Sequence, residues 1–295
     1  MNLILFVLFH LVLSHNNTEK YIKEYSYSYL TTQFISQYTK NIAVLKGKDN
    51  NITKCFAKQN IYKNDIIFEY GEHEVISCQN IDIQNKENMS LIINKFVNDT
   101  YIGDKLLLSC LIYYIIKNPY NIPYVNRRLR LFILNLPIEE LNPIEFLNDK
   151  NYIEKYLLNK DSLLINVESE KELINKIINE IFDININNQT DENYILFAKI
   201  YYFIKIHCFN INGKAVILPF MDTCDIVPYY LKKEKLKYDS IYIEQENNNI
   251  VVKSKNDILQ SDQFVFSFKI PLTNDYLLLK EGKSVYNFLY IILFK

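Results

Sequence analysis

Tryptophan is missing from the 295 residues, glycine occurs only 5 times and histidine only 4 times. Each shortage removes a class of chemistry. Gly47, Gly71, Gly103, Gly213 and Gly282 stand far apart. A phosphate-binding loop or a dinucleotide fingerprint needs clustered glycines, because only then can successive backbone N–H groups approach phosphate. Kinases, GTPases and Rossmann dehydrogenases are therefore disfavoured. Of the histidines, His10 and His15 lie in or beside an N-terminal apolar run, which leaves His73 and His207 as candidate bases. Neither follows a GxSxG-type nucleophile motif, and His207 falls in an apolar stretch where a packed histidine is the usual finding. Glu72-His73-Glu74 imitates a metal-ligand set, but alternation along a strand or turn points such neighbours apart. The five cysteines, Cys55, Cys78, Cys110, Cys208 and Cys224, are scattered and form no CxxC pair, so a zinc site has little support and no metal is expected. Buried free thiols are the plainer reading, with one or two disulfides as the alternative in an oxidising compartment.

Charge of one sign is also lacking in excess. The 33 basic and 34 acidic residues leave a formal net charge of -1, whereas a nucleic-acid binder concentrates basic charge on one face. No nucleic-acid partner is expected. Long hydrophobic runs are absent too: residues 3–13, 106–116 and 288–294 are each too short to cross a bilayer, so no mature transmembrane span is expected.

What the chain does have is 49% hydrophobic residues, ample material for a core. The run from Leu3 to Leu13 stops at the polar Ser14-His15-Asn16-Asn17. This has the length of a signal-peptide core; the alternative is a buried N-terminal strand. Residues 1–15 are therefore read as a signal peptide leading to the secretory pathway. Residues 16–41 form an N-terminal arm or a second targeting element, directing the chain onward to an organelle reached through that pathway. Residues 42–295 are read as the folded domain. The abundance of asparagine reads as compositional bias, and four glycosylation sequons at Asn51, Asn88, Asn98 and Asn188 arise by chance in such a chain.

From Ile42 the pattern turns strand-like. Phe56-Ala57 and residues 66–70 flank Lys63-Asn64-Asp65, a polar turn of the kind that joins two short strands. Residues 105–117 are apolar all round and predict a buried helix. Ser169-Glu170-Lys171-Glu172 has the form of a capping box opening an amphipathic helix over 173–182. Residues 193–209 predict a second apolar helix, and Asn212-Gly213 a tight reversal into a strand over 215–220. Further strands are predicted at 240–245, 250–253 and 263–268, with a short helix near 274–280. The order is short strands, a helical insertion at about 88–212, then more short strands. The strands at 215–220 and 263–268 are expected close together, with residues 222–228 passing near the C-terminal segment.

Several of these segments, taken in order, resemble the SET-domain protein-lysine methyltransferases, in the plastid Rubisco-methyltransferase-like branch. Cys55-Phe56-Ala57 followed by Ile61 through Glu69 is similar to that family's opening strands, its glycine-rich turn excepted. Residues 106–116, then Tyr124 through Leu134-Asn135-Leu136-Pro137, resemble the helix and "Y…LP" stretch of the branch. Phe197-Ala198, Lys205 and Leu218-Pro219-Phe220-Met221-Asp222 resemble its "WA…SR…VP..D" run, and Pro228 stands where "MLNHSP" ends. Asp262 through Phe268 resembles "EQV.I.Y", and Thr273-Asn274-Asp275-Tyr276-Leu277-Leu278 resembles "SN.ELL".

The resemblance implies an α+β, SET-like fold of small curved β-sheets with a threaded C-terminal segment and a helical insertion. It implies S-adenosylmethionine as cofactor on one side and a lysine side chain of a protein or peptide entering from the other. It places Lys54 and Cys55 at the family's glycine turn, Asp225 and Ile226 at its "NH" pair, and Lys205 at its "SR" arginine, all as cofactor-binding positions. Phe268 falls at the catalytic tyrosine, with the ring kept and the hydroxyl lost. Lys205 keeps charge but not the bidentate fork of arginine, and Asp225 retains an acceptor for the cofactor's ammonium. The chain ends at Lys295, so the helical substrate-binding domain that follows in that branch is expected to be absent or very short. Two functions stay open: a divergent protein-lysine N-methyltransferase, and a catalytically inactive SET-like module that binds a protein segment.

Overall fold

Apolar runs of five residues or so, broken by Asn, Asp and Lys, form strands in this chain, and the longer apolar runs form helices. The computed structural model describes residues 38–39, 42–46, 53–119, 125, 127–136, 138, 160–184, 191–221, 224–227, 240–262 and 264–267. The signal-peptide and arm readings, except at residues 38 and 39, and the helix expected near 274–280 lie outside these residues.

Strands β1 (Ile42–Lys46) and β2 (Thr53–Ala57) form an antiparallel hairpin in which Ile42 faces Ala57. Strand β3 (Ile66–Tyr70) leads through two short 3-10 turns, on either side of β4 (Ile76–Ser77), into the helices. These are α1 (Lys86–Phe96), α2 (Thr100–Lys117), α3 (Arg127–Leu134), α4 (Lys160–Phe182) and α5 (Glu192–His207). Then come β5 (Cys208–Ile211), β6 (Lys214–Ile217), β7 (Asp225–Val227), β8 (Ile241–Glu246), β9 (Asn249–Ser254) and β10 (Val265–Ser267).

Among the described residues the strands pair into four small sheets, β1-β2, β3-β9-β8, β4-β6-β5 and β7-β10. All are antiparallel except β7-β10, which is parallel. Helix α2 is the central pillar. Leu106, Leu108, Cys110, Leu111, Ile112 and Ile115 are fully buried on all its sides, as its unbroken apolar sequence requires, and it packs against α1, α3, α5 and β6. Its first turn is capped by Asp99, whose carboxylate accepts the Ile102 N–H at 2.9 Å, and Asp191 caps α5 through the Asn193 N–H at 2.8 Å.

Four local expectations are corrected. Lys63-Asn64-Asp65 does reverse the chain, but β2 pairs with β1 and β3 with β9, so the turn passes between sheets. Ser169 through Glu172 do not open a helix: α4 begins at Lys160 and runs through them, and Glu170 is held by partners on α5. Helix α5 stops at His207 and the chain goes directly into β5, because Cys208 to Ile211 pair with β6. The strand expected over 215–220 ends at Ile217, and residues 218–221 make a turn. Its sheet partners are β4 and β5, so it lies in a different sheet from β10.

The five cysteines form no disulfide with one another; four of them are buried and Cys208 is half-buried. Among the described residues no helix is long and apolar enough to cross a membrane.

Candidate functional site

Residues 261, 262 and 264 lie along β2 on the edge opposite β1. Ala57 donates its N–H to the Asp262 carbonyl at 2.8 Å and accepts the Ser261 N–H at 2.8 Å; the Cys55 carbonyl accepts the Phe264 N–H at 3.1 Å. Cys55 and Phe264 are both fully buried. The chain then continues as β10, which lies parallel to β7 with Val265 facing Asp225, Phe266 facing Ile226 and Ser267 facing Val227. A parallel pair of this kind cannot be a hairpin. It sets a late segment beside one that precedes it by a full crossover, as expected for residues 222–228 passing near the C-terminal segment.

These pairings tie two of the sequence-predicted pairs of positions to one segment of chain. Lys54 and Cys55 lie on β2, which bonds to residues 261, 262 and 264, and Asp225 and Ile226 open β7, which pairs with residues 265–267. Phe268 follows directly on β10 and lies outside the described residues.

Lys205 is placed differently. It is buried near the end of α5, with its ammonium 2.7 Å from the Glu170 carboxylate on α4. It also sits over the rings of Tyr202 and Tyr201, at 4.8 and 5.4 Å. The Tyr202 hydroxyl donates to the other Glu170 oxygen at 2.6 Å. Burial, with Glu170 alongside, pushes the Tyr201 and Tyr202 phenols well above their ordinary pKa. This is a helix-to-helix strut, and the backbone pairings around Cys55 and Asp225 do not include it.

Residues 218–221, which deliver the chain to β7, are unusual. Met221 donates its N–H to the Leu218 carbonyl at 3.1 Å, and Cys224 to Met221 at 3.2 Å. Between them Phe220 has a φ of 70° and is fully buried. A bulky residue in the left-handed region is a real outlier, costing on the order of 1–3 kcal/mol, and persists only where its surroundings over-determine it. Those surroundings are aromatic. The Phe220 ring meets Phe132 edge-on at 5.0 Å and Tyr38 at 6.0 Å, and Tyr38 meets Tyr70 at 5.2 Å. The Tyr70 hydroxyl, fully buried on β3, donates to the Pro219 carbonyl at 2.6 Å. Sequence reasoning missed Tyr70 and Phe220 as a pair, and no sequence signal joins residues so far apart. It also missed Glu170, whose residue type had been absorbed into a capping motif.

The remaining candidates stay outside this region. His73 is exposed in a 3-10 turn, and His207 packs on the Phe203 ring at 4.5 Å. An open hollow of about 390 Å³ at the start of α1, lined by Asp82, Lys86, Glu87 and Leu107 among others, includes none of the site residues. Among the described residues no group of three or more His, Cys, Asp or Glu side chains is placed to hold a metal.

No protein-family profile matches this chain, and no curated protein matches it in sequence. Its structure matches solved ones. The SET domain of LSMT bound to lysine and AdoHcy superposes with a TM-score of 0.59 at 13% identity, covering 88% of this chain and 58% of that one. Rubisco LSMT bound to AdoMet matches with a TM-score of 0.59 at 13% identity, over 87% of this chain and 55% of that one. The SET domain of LSMT bound to methyllysine and AdoHcy matches with a TM-score of 0.60 at 13% identity, over 87% and 56%. The chain therefore has a SET-like α+β fold, and it spans a little over half the length of these structures. At this identity the likeness is one of fold.

Proposed function

We propose that this SET-like chain holds S-adenosylmethionine beside β2 and β7 and acts, slowly, as a divergent N-methyltransferase on a lysine side chain of a protein. The observation that carries the reading is that one segment bonds to β2 through residues 261, 262 and 264 and then pairs with β7 through residues 265–267. This link between the strand that carries Lys54 and Cys55 and the one that carries Asp225 and Ile226 supports a shared site. The solved structures with this fold are bound to AdoMet or AdoHcy, and two of them to lysine or methyllysine, which supports the same ligand classes here.

The donor set fits such a ligand in chemistry. S-adenosylmethionine carries an ammonium and a carboxylate beside its sulfonium; Asp225 offers an acceptor for the first and Lys54 a cation for the second. The ligand supplies the methyl group, and transfer makes an N–C bond to the neutral lysine amine as the S–C bond breaks, the surplus amine proton leaving to solvent. The chain's own contribution is positioning and exclusion of water. Cys55 and Phe264 are fully buried, so the junction of β2 with Phe264 is dry, and charge pairing beside it is strengthened. Phe268 brings a ring without a hydroxyl to the position of the family tyrosine. Losing a positioned polar group of that kind lowers a rate by about 10²–10⁴-fold, hence the low turnover.

A second reading is favoured by the departures themselves. Thr53-Lys54-Cys55 replaces a turn free of side chains, and Phe268 replaces a hydroxyl, as suits a silent SET-like module that binds a protein segment. Calorimetric titration of the full chain with S-adenosylmethionine, followed by methyl transfer to lysine-containing peptides, separates the two. Saturable binding with slow transfer supports the enzyme; absence of binding supports the silent module. Under either reading we assign residues 42–295 to the SET-like domain and the mature chain to the secretory pathway.

A further inference from the structure

We propose that Tyr70 and Phe220 are positioning residues: Tyr70 selects the orientation of the peptide between Pro219 and Phe220, and that orientation sets β7 in register with β10. The proposal deepens the cofactor reading above and rests on it for its functional meaning, while its structural content stands on the turn alone.

Residues 218–221 form a four-residue turn closed by the Met221 N–H on the Leu218 carbonyl. Proline occupies the first central position and a residue with φ of 70° the second. That is the signature of a type II turn, in which the second central residue is ordinarily Gly or Asn. Type I and type II turns differ by a flip of the peptide between the two central residues, which reverses its carbonyl. That carbonyl is Pro219's, and it is the one that the Tyr70 hydroxyl holds at 2.6 Å in a buried setting. In the type I orientation the Pro219 oxygen would leave the phenol, and Phe220 would relax to a φ near −90°. The strained backbone of Phe220 is thus the direct consequence of a hydrogen bond from a strand on another sheet. The Phe220 ring, seated between Tyr38 and Phe132, holds the second side of the turn.

The position of the turn gives the device its purpose. It follows β6 and precedes β7 by only a few residues, with Cys224 bonded back to Met221. A flip at Pro219-Phe220 redirects this short link, so Asp225 would no longer enter facing Val265. Strain is stored here at the entrance to the candidate cofactor strand, not in the long helices.

Tyr70→Phe in the full chain keeps the ring and removes only the hydroxyl. Amide hydrogen exchange in β7 and β10 is expected to rise about tenfold, the loss of one buried hydrogen bond, while β8 and β9 exchange as before. The backbone coupling of Phe220 should shift from a positive to a negative φ. Phe220→Gly, which accepts positive φ without strain, should keep β7 more protected than Phe220→Val, whose branched side chain resists it. AdoHcy affinity should fall about tenfold with the Tyr70→Phe exchange change. Uniform acceleration across all sheets, or an unchanged φ at Phe220 in Tyr70→Phe, overturns the proposal. If the unmodified chain binds no AdoHcy, the cofactor reading fails, and the exchange and coupling data still decide the turn.

Discussion

The Cys55 carbonyl accepts the backbone N–H of Phe264 at 3.1 Å, and this bond joins the first hairpin to the segment that continues as β10. Because β10 also pairs with β7, three regions far apart in sequence meet through backbone alone. Side-chain divergence can therefore be extensive while the meeting point survives.

Phe264→Pro tests that stitch. Proline removes the N–H and leaves a buried carbonyl without its partner, which costs about 1–3 kcal/mol. Phe264→Leu keeps the donor and loses only part of the ring's packing. Denaturant unfolding should rank Phe264→Pro well below Phe264→Leu. Only Phe264→Pro should also raise exchange at Ser261 and Ala57. Equal destabilisation of the two variants would show that the ring, not the backbone bond, holds the segment.

Glu170 and Lys205 make a second testable pair. Glu170→Leu removes the carboxylate that meets the Lys205 ammonium and the Tyr202 hydroxyl; breaking a buried pair from one side costs up to about 3–5 kcal/mol, and less for this partly exposed one. Lys205→Met leaves Glu170 with Tyr202 and should cost less. The double variant should be less destabilised than the sum of the two. If Lys205 serves only this strut, Lys205→Met lowers the melting temperature and leaves AdoHcy affinity unchanged. A loss of affinity without a loss of stability would restore it to the cofactor site.

Much of the fold was legible because it is written locally. Apolar residues on all faces predict α2, Asn212-Gly213 predicts the tight reversal into β6 though not the strand β5 before it, and the resemblance of ordered segments reaches the SET-like architecture. The asparagine content was legible only in part. In a chain so poor in glycine, Asn64, Asn212, Asn247 and Asn248 occupy positive φ, where asparagine is the next best residue. Asn247-Asn248 closes the β8-β9 hairpin as Asn212-Gly213 closes β5-β6. What looked like compositional bias thus also carries turn chemistry. The capping-box reading fails because Ser169-x-x-Glu172 is equally compatible with a helix interior, and α4 already begins at Lys160. Tyr70, Pro219 and Phe220 were illegible for a different reason: their relationship exists only after two sheets have met.

Alkaline stability follows from the buried phenols. Burial, with Asp191 nearby, raises Tyr113 to about 12. Burial, with Glu168 and Glu170, raises Tyr194 above its ordinary value, and Tyr201 and Tyr202 move the same way. In the unfolded chain a tyrosine loses its proton near pH 10, at about its unperturbed value. The folded state then binds more protons than the unfolded one, so stability falls as pH rises. The contribution is intact below about pH 10 and for Tyr113 is lost by about pH 12. Denaturant midpoints should hold from neutral pH to pH 9 as far as the tyrosines are concerned, then drop steeply. Phenolate absorbance should appear together with unfolding. Phenolate formation in a chain that remains folded would show these hydroxyls to be solvated.

Phe268→Tyr bears most directly on the proposed chemistry. Residue 268 follows in sequence on β10, whose register beside Asp225 and Ile226 is fixed, and the substitution adds one hydroxyl to its ring. If residue 268 stands at the mouth of a lysine channel, that hydroxyl supplies the polar group that the natural chain lacks. Methyl transfer to a lysine peptide should then rise, by up to about 10²–10⁴-fold, with S-adenosylmethionine affinity unchanged. If residue 268 is instead an inward core residue, the same hydroxyl is buried without a partner and lowers stability by about 1–3 kcal/mol. Activity and melting temperature therefore move in opposite ways under the two placements. Unchanged cofactor binding, no gain in transfer and a lower melting temperature would remove Phe268 from the site. A gain in transfer at unaltered stability would identify the missing hydroxyl as the reason for slow turnover.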